Sequence, residues 1–295
     1  EGADPGFQVQ RLKNKLGTRS LPSSEVEFRG VTGRVVGEEG RGVQTIIRMV
    51  NHTRLDCLIG SASGMRAGTV QAIHQARHRS AFGTTLGDQP AMLNVLADLA
   101  IESEAATAMR IVRAYDEDGG PFRRVATAVS KYWVCKRAPL HAGEALECFG
   151  GNGYVEESGM PRLFRDSPLN SIWEGSGNVA ALDVLRALGR EPEGLPAFLA
   201  EVELASGADP RLDTHVEALK RRLSSLGEDD PQFAARRVVE DMGLALQGSL
   251  LVRDAPPAVA DAFCASRLAR DGGLAFGTLP SGTDATAIVD RAYAG

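Results

Sequence analysis

The stretch Gly42–Gly68, GVQTIIRMVNHTRLDCLIGSASGMRAG, decides what kind of chain this is. Val43, Ile46, Ile47 and Val50 recur at the spacing of one helical face. Gly60, Gly64 and Gly68 then follow in register with one another. A helix carrying them has one smooth strip that another helix or a ligand can approach closely. A helical glycine costs about 1 kcal/mol, so tight helix packing is the first reading of the row. The spacing predicts a long first helix from about Gly40 to Ala81.

Working outward, GDQPAM opens a second helix, with Asp88 as candidate cap and Pro90 in the first turn. Met92, Val95, Leu96 and Leu99 form its stripe. A third helix is predicted from about Phe122 to Phe149, with Pro139 as a kink or break. Short connections predict antiparallel neighbours. The span Gly150–Gly175 reads as a long loop, and a loop of that length is usually functional. A short helix follows, with Ala181, Leu182, Leu185 and Leu188 on its apolar side. Upstream, SEVEFRGV alternates and RVVG follows a glycine turn, so residues 1–37 read as strands. That is too little sheet to stand alone; it is the tail of a larger β unit or an edge packed on helices. Downstream, GREPEGLP (Gly189–Pro196) reads as a linker to a mostly helical remainder. The chain therefore divides into 1–37, 38–188 and 189–295.

The bulk numbers fit this mainly α reading. The chain has 295 residues, enough for an ample core, and carries a net charge of −5. Aromatic residues are only 5%, so the core is mostly aliphatic. No apolar run reaches the roughly 18 residues that suggest a membrane span. The opening residues EGADPGFQVQ are acidic and polar and predict no secretory leader, and the missing initiator Met suggests a fragment. Cys57, Cys135, Cys148 and Cys264 form no C-x-x-C pair and have no histidine at ligand spacing. They read as buried thiols of a cytoplasmic protein, with no metal site.

Three stretches could carry chemistry. ARHRSAFGTTLGDQP concentrates Arg77, His78 and Arg79 before a Phe82–Gly83 turn and Gln89. Arginine forks suit phosphates, and glutamine can serve a base or ribose; the alternative is a basic, solvated helix end. ECFGGNGYVEE offers three glycines whose backbone can approach a ligand, or a capping turn after the third helix. SIWEGSGNVAAL places Glu174 between Trp173 and Gly175, just before a helix start. Ser176 is a good N-cap residue, and the N–H groups around Gly175, Ser176 and Gly177 favour an anion. Trp173 would supply an apolar wall. Glu174 is then either part of a capped helix start or a base aimed at a substrate.

Together these stretches resemble the acyl-CoA dehydrogenase family. The shared features are R-x-x-F-G with a later Gln (Arg79, Phe82, Gly83, Gln89), F-G-G-N-G-Y (Phe149–Tyr154) and the aromatic-Glu-Gly-Ser turn (Trp173–Ser176), in matching order and spacing. KNKLGTRSLPSSEVEFRGV is similar to the last strands of that family's middle β domain. CFGGNGYVEESGMPRLFRDSPLNSIWEGSGN and the C-terminal zone look most like its adaptive-response branch. The likeness covers nearly the whole chain and is strongest from Leu12 to Leu188.

The resemblance implies an antiparallel helical bundle of that family's C-terminal type, preceded by remnant strands and followed by an additional helical domain. It also implies that the N-terminal helical domain is absent. The implied activity is FAD-dependent α,β-dehydrogenation of an acyl-CoA thioester, with Glu174 matching the catalytic base. Arg54 matches an arginine near the substrate, and Thr53 stands where some members carry an alternative glutamate base. Arg79, Phe82 and Gln89 match residues that reach the FAD of a neighbouring subunit in a dimer or homotetramer. Gly150 and Gly151 match a turn near its adenosine end. Ser176 and Asn178 match positions that hold its pyrophosphate side, and Trp173, Gly175 and Gly177 are expected to bind the cofactor with them. Glu147 departs from the family, many members of which have Gln there.

Two other function classes stay open. One is a flavoprotein of the alkylation-damage response that binds duplex DNA through its C-terminal domain. The other is a helical assembly domain. Residues 189–295 carry 11 Lys and Arg against 17 Asp and Glu, a net of −6. Duplex contacts need clustered cations, and only Lys220–Arg222 with Arg236 and Arg237 could form such a patch.

Overall fold

The computed structural model describes residues 5–109, 120–227 and 230–294. Helix α1 (Gly42–His78) is the spine. Leu55, Leu58, Ala62, Met65, Thr69, Ala72, Ile73 and Ala76 are buried along it, which is one helical stripe. Val43, Ile46, Ile47 and Met49, near its start, are exposed instead. Helices α2 (Pro90–Ala108), α3 (Gly120–Glu147) and α5 (Gly177–Arg190) complete a four-helix bundle. Thr69 meets His141 and Cys57 meets Cys135, so α1 and α3 run parallel. Helix α5 runs against α3, with Gly177 beside Lys136 and Asp183 beside Arg124. Pro139 sits inside α3 without ending it.

The predicted loop after α3 is built of short turns. Two 3-10 turns (Gly150–Tyr154 and Glu156–Ser158) lead into α4 (Met160–Asp166), and a third (Ser167–Ser171) follows. This segment crosses the glycine row of α1. Gly60 faces Asn170, and Gly64 and Gly68 face Leu163. A Cβ on Gly68 would lie 3.2 Å from that of Ala145, so the row is a packing surface. Near the N-terminus, β1 (Phe7–Leu12) and β2 (Ser24–Phe28) pair antiparallel, with Phe7 opposite Phe28. RVVG forms no strand. Their connecting loop docks on α4, where the Thr18 N–H donates to Asp166 at 2.5 Å.

Residues 189–294 pack directly on the bundle. Helix α5 runs on to Arg190, and α6 (Gly194–Glu203) starts at once, with Phe198 stacked on Phe122. Helices α7 (Pro210–Ser224), α8 (Pro231–Asp254) and α9 (Pro257–Phe263) follow, then a π-helical turn (Cys264–Leu268) and α10 (Ala285–Ala294). One hydrophobic core is continuous from Leu55 to Ala292. Trp133 of α3 packs against Gly243 of α8 and donates from Nε1 to Gln247 at 2.8 Å. Among the described residues, no helix is long and apolar enough to cross a membrane.

A buried polar cluster ties the C-terminal part down. Arg267 of the π-helical turn pairs with Asp98 and Glu102 of α2, and Arg137 of α3 pairs with Glu102 at 2.9 Å. Burial alone would raise the Glu102 carboxyl, but Arg137 and Arg267 outweigh it and hold it at about 2. His141 is fully buried beside them. Its Nε2 lies 3.1 Å from the Leu99 carbonyl oxygen, and its Nδ1 has no partner among the described residues. Burial lowers the His141 pKa to about 4.

The end of α1 differs from expectation. The helix stops at His78, and a hairpin follows: β3 (Ser80–Ala81) pairs with β4 (Thr84–Thr85) around Phe82 and Gly83. Both turn residues have positive φ, 56° and 84°, the requirement of a type I′ turn. An aromatic residue is strained there, and Phe82 is nevertheless 95% exposed. Asp88 lies in a 3-10 turn and does not cap α2. Gln89 takes the N-cap position, and its side chain donates to the Ala81 carbonyl at 3.1 Å, bracing the hairpin.

Two outcomes follow for stability. Phe82→Asn relieves the turn strain and stabilises the isolated chain by about 0.5–1 kcal/mol, read by urea denaturation at low protein concentration. A loss of stability would show that the ring packs within its own chain. For His141, the unfolded chain takes up a proton below about pH 6.5, which the fold refuses until about pH 4. Stability therefore falls by up to about 3 kcal/mol as pH drops through that window. His141→Gln should flatten the slope; an unchanged slope contradicts the assignment.

Candidate functional site

The tryptophan turn, Ile172–Gly175, leads into α5. Glu174 has φ +58°, a left-handed backbone that costs a non-glycine residue on the order of 1–3 kcal/mol. Gly175 continues the turn at φ +109°. Two cations hold it. The Arg54 Nε donates to the Glu174 carbonyl at 3.0 Å, and the Lys131 ammonium donates to the Gly175 carbonyl. Among the described residues, neither the Glu174 carboxylate nor its backbone N–H has a hydrogen-bond partner.

Each holding group is itself fixed. Arg54 pairs with Asp183 at 2.6 Å, and Asp183 also binds Arg124 at 2.9 Å and Arg186 at 3.3 Å. The Trp173 Nε1 donates to Asn170 at 3.1 Å, and the Asn170 amide donates to Ser61 at 3.1 Å. The Ser61 hydroxyl donates to the Cys135 sulfur, and that thiol to the Cys57 carbonyl. Burial pushes the Cys57 thiol up to about 11 and Cys135 up to about 12, so neither is a thiolate near neutral pH.

At the start of α5, Ser176 occupies the N-cap position, but its hydroxyl accepts no capping hydrogen bond. The first N–H groups of the helix are left without an intrahelical acceptor. Lys136 and Arg236 nevertheless converge there, their nitrogens 3.4 and 3.2 Å from where a Cβ on Gly177 would sit. Arg236 Nε also donates to Asn178 at 2.8 Å. Cations crowded on the positive end of a helix are unfavourable unless an anion joins them. The residues present therefore fit a diphosphate.

The remaining candidates lie elsewhere. Arg79 is exposed and makes no ion pair among the described residues, and the exposed Phe82 lies three residues on. Gly150 (φ +58°) and Gly151 follow α3 and have nothing near the place of a Cβ, so their backbone is open to an incoming group. At ~1.5 Å per residue, Arg79 is roughly 37 Å along α1 from Arg54, and Gly150 roughly 28 Å along α3 from Lys131. The structure thus gathers the turn residues with Arg54 at one level and sets Arg79, Phe82, Gln89, Gly150 and Gly151 towards one end of the bundle. Arg54 faces the turn backbone and Asp183, with its side chain only 12% exposed. Thr53 donates to the carbonyls of its own helix.

Sequence reasoning missed Lys131, Asp183, Asn170 and Ser61. A signal existed for one of them: Lys131 stands with Ala128 and Cys135 on the buried stripe of α3, where a charge needs a reason.

The chain is similar to proteins already known. The acyl-CoA dehydrogenase C-terminal domain family matches residues 40–189. The chain is 38% identical to the putative acyl-CoA dehydrogenase AidB of Escherichia coli, over 93% of this chain and 51% of that protein. It resembles the crystal structure of Caenorhabditis elegans ACDH-11 in complex with C11-CoA, with TM-score 0.79 and 29% identity over 89% of this chain and 50% of that one. Butyryl-CoA dehydrogenase of Megasphaera elsdenii gives TM-score 0.60 and 27% identity over 64% of this chain and 50% of that one. The chain spans about half the length of these relatives. The motifs, the bundle and these matches agree: the chain belongs to the acyl-CoA dehydrogenase family.

Proposed function

We propose that this chain carries the base and much of the cofactor-binding surface of an FAD-dependent dehydrogenase acting on acyl-CoA thioesters. The observation that carries this reading is the Glu174 turn. Its carbonyls are tied back by Arg54 and Lys131, while its carboxylate and N–H have no hydrogen-bond partner among the described residues and lie beside an anion-ready helix start. A carboxylate so placed removes the α proton of the thioester. The adjacent backbone N–H is suited to polarise the thioester carbonyl, which makes that proton more acidic. Trp173 walls the turn. When bound, FAD accepts the hydride from the β carbon.

Ser176, Gly177 and Asn178 would hold the diphosphate, with Lys136 and Arg236 offsetting its charge. Arg79, Phe82, Gln89, Gly150 and Gly151 are too far along the bundle to share that cofactor within one chain. In this reading they serve the FAD of a second copy in a dimer or tetramer. The exposed, strained Phe82 supports that reading, because a bare aromatic at a turn tip gains from being covered.

The duplex-DNA alternative receives less support. Lys220 pairs with Glu203 and Glu217, Arg222 and Arg237 converge on Asp241, and Arg236 turns to Asn178. These cations are divided among three places and form no single strip for phosphates.

The test uses the protein expressed from its whole reading frame. The purified protein should show a flavin spectrum that bleaches on anaerobic titration with an acyl-CoA. Glu174→Gln should keep the spectrum and lose the bleaching; undiminished reduction by that variant rejects the base assignment. Duplex binding with a steep salt dependence, and no bleaching, would favour the alternative.

A further inference from the structure

The proposed chemistry leaves one buried charged group unexplained. Lys131 is 1% exposed and is among the largest fully buried side chains of the molecule. Burying an ammonium is costly, and a methionine would fill similar space without that cost. Among the described residues, no carboxylate lies within ion-pairing distance of it. Its hydrogen bond goes to the Gly175 carbonyl.

The groups facing it come from every element around it. Cys135 lies on its own helix, and Cys57 and Arg54 lie on α1. Glu174 and Gly175 lie on the turn. Asp183 of α5 is engaged by Arg54, Arg124 and Arg186. The two thiols are neutral near pH 7, because burial raises both. Arg54 repels the ammonium. Among the described residues, the Glu174 carboxylate is a negative charge that acts on Lys131 and has no ion pair of its own.

We propose that Lys131 is a positioning residue for Glu174: its ammonium pins the Gly175 carbonyl and sets a fixed positive charge beneath the acid of the turn. The kinetic part rests on the dehydrogenase reading, whereas the electrostatic part does not. Mechanically, the bond holds the residue after Glu174, so the strained left-handed backbone cannot relax. Electrically, the Glu174 carboxylate favours the ammonium form of Lys131. Burial, meanwhile, lowers the Lys131 pKa.

Two experiments separate these parts. The first needs no turnover. Lysine ε-carbon NMR of the protein follows the titration of Lys131, assigned with Lys131→Gln. Its midpoint should lie below the ordinary lysine value of about 10.4. Glu174→Gln should lower it further, because a stabilising negative charge is gone. An unmoved midpoint overturns the coupling.

The second compares Lys131→Met and Lys131→Gln in the flavin-loaded protein by stopped-flow reduction with acyl-CoA. Lys131→Gln keeps a donor for the Gly175 carbonyl and removes the charge. It should be reduced within about threefold of the wild-type rate, since the bond that holds the turn has a donor. Lys131→Met loses bond and charge, and its rate should drop by at least tenfold at every pH. Wild-type rates in Lys131→Met, or a Lys131→Gln variant as slow as Lys131→Met, overturn the proposal. If the wild-type protein is not reduced by any acyl-CoA, the dehydrogenase reading fails, and the NMR midpoint alone decides the coupling of Lys131 to Glu174.

Discussion

Two carbonyl groups carry the site. The Glu174 and Gly175 oxygens are held by Arg54 and Lys131, one cation from α1 and one from α3. Without them a glutamate has little reason to adopt φ +58°, since the left-handed region disfavours its side chain. With them, the turn becomes a fixed corner between three helices. Asp183 extends the corner into α5 through three arginines. Trp173, Asn170, Ser61 and Cys135 form a second chain of contacts from the turn back to α1 and α3. The acid is thus presented by rigid elements, which a base needs in order to meet a proton in a defined direction.

The bundle then sets a length problem. The acid turn and the Arg79 hairpin sit at levels separated by tens of ångströms along α1, by the ~1.5 Å rise of a helix. One presents a carboxylate at an anion-ready helix start; the other presents Arg79, without an ion pair among the described residues, and the exposed Phe82 three residues on. In the proposed reading the two meet at one cofactor from two copies. The C-terminal helices reinforce the acid end. Arg236 reaches Asn178 from α8, and Arg267 locks the π-helical turn to α2.

Much of this was legible in the residues themselves, for physical reasons. The long α1 showed in its apolar spacing, and the glycine row showed as a packing face because only hydrogen at Cα admits Leu163 and Ala145 so closely. The start of α5 was readable from Ser176, although its hydroxyl does not cap. The hairpin after α1 was hidden, since phenylalanine is a poor advertisement for a left-handed turn. The stretch after Gly150 was read as a loop because 3-10 turns have little periodicity of their own. Lys131 and Asp183 were missed because their partners, a backbone carbonyl and distant arginines, exist only after folding. Arg54 was marked as a substrate residue by resemblance; its geometry ties it to the Glu174 backbone.

The most direct measurement is subunit complementation. Two variants of the whole protein, Glu174→Gln and Arg79→Ala, are prepared separately, mixed under conditions that allow subunits to exchange, and assayed for flavin reduction by acyl-CoA. Each alone should be impaired and the mixture should recover activity, because a mixed pair holds one intact site with the acid from one copy and the guanidinium from the other. A mixture no more active than the average of its two components, with exchange verified, would show that the two groups do not meet across copies.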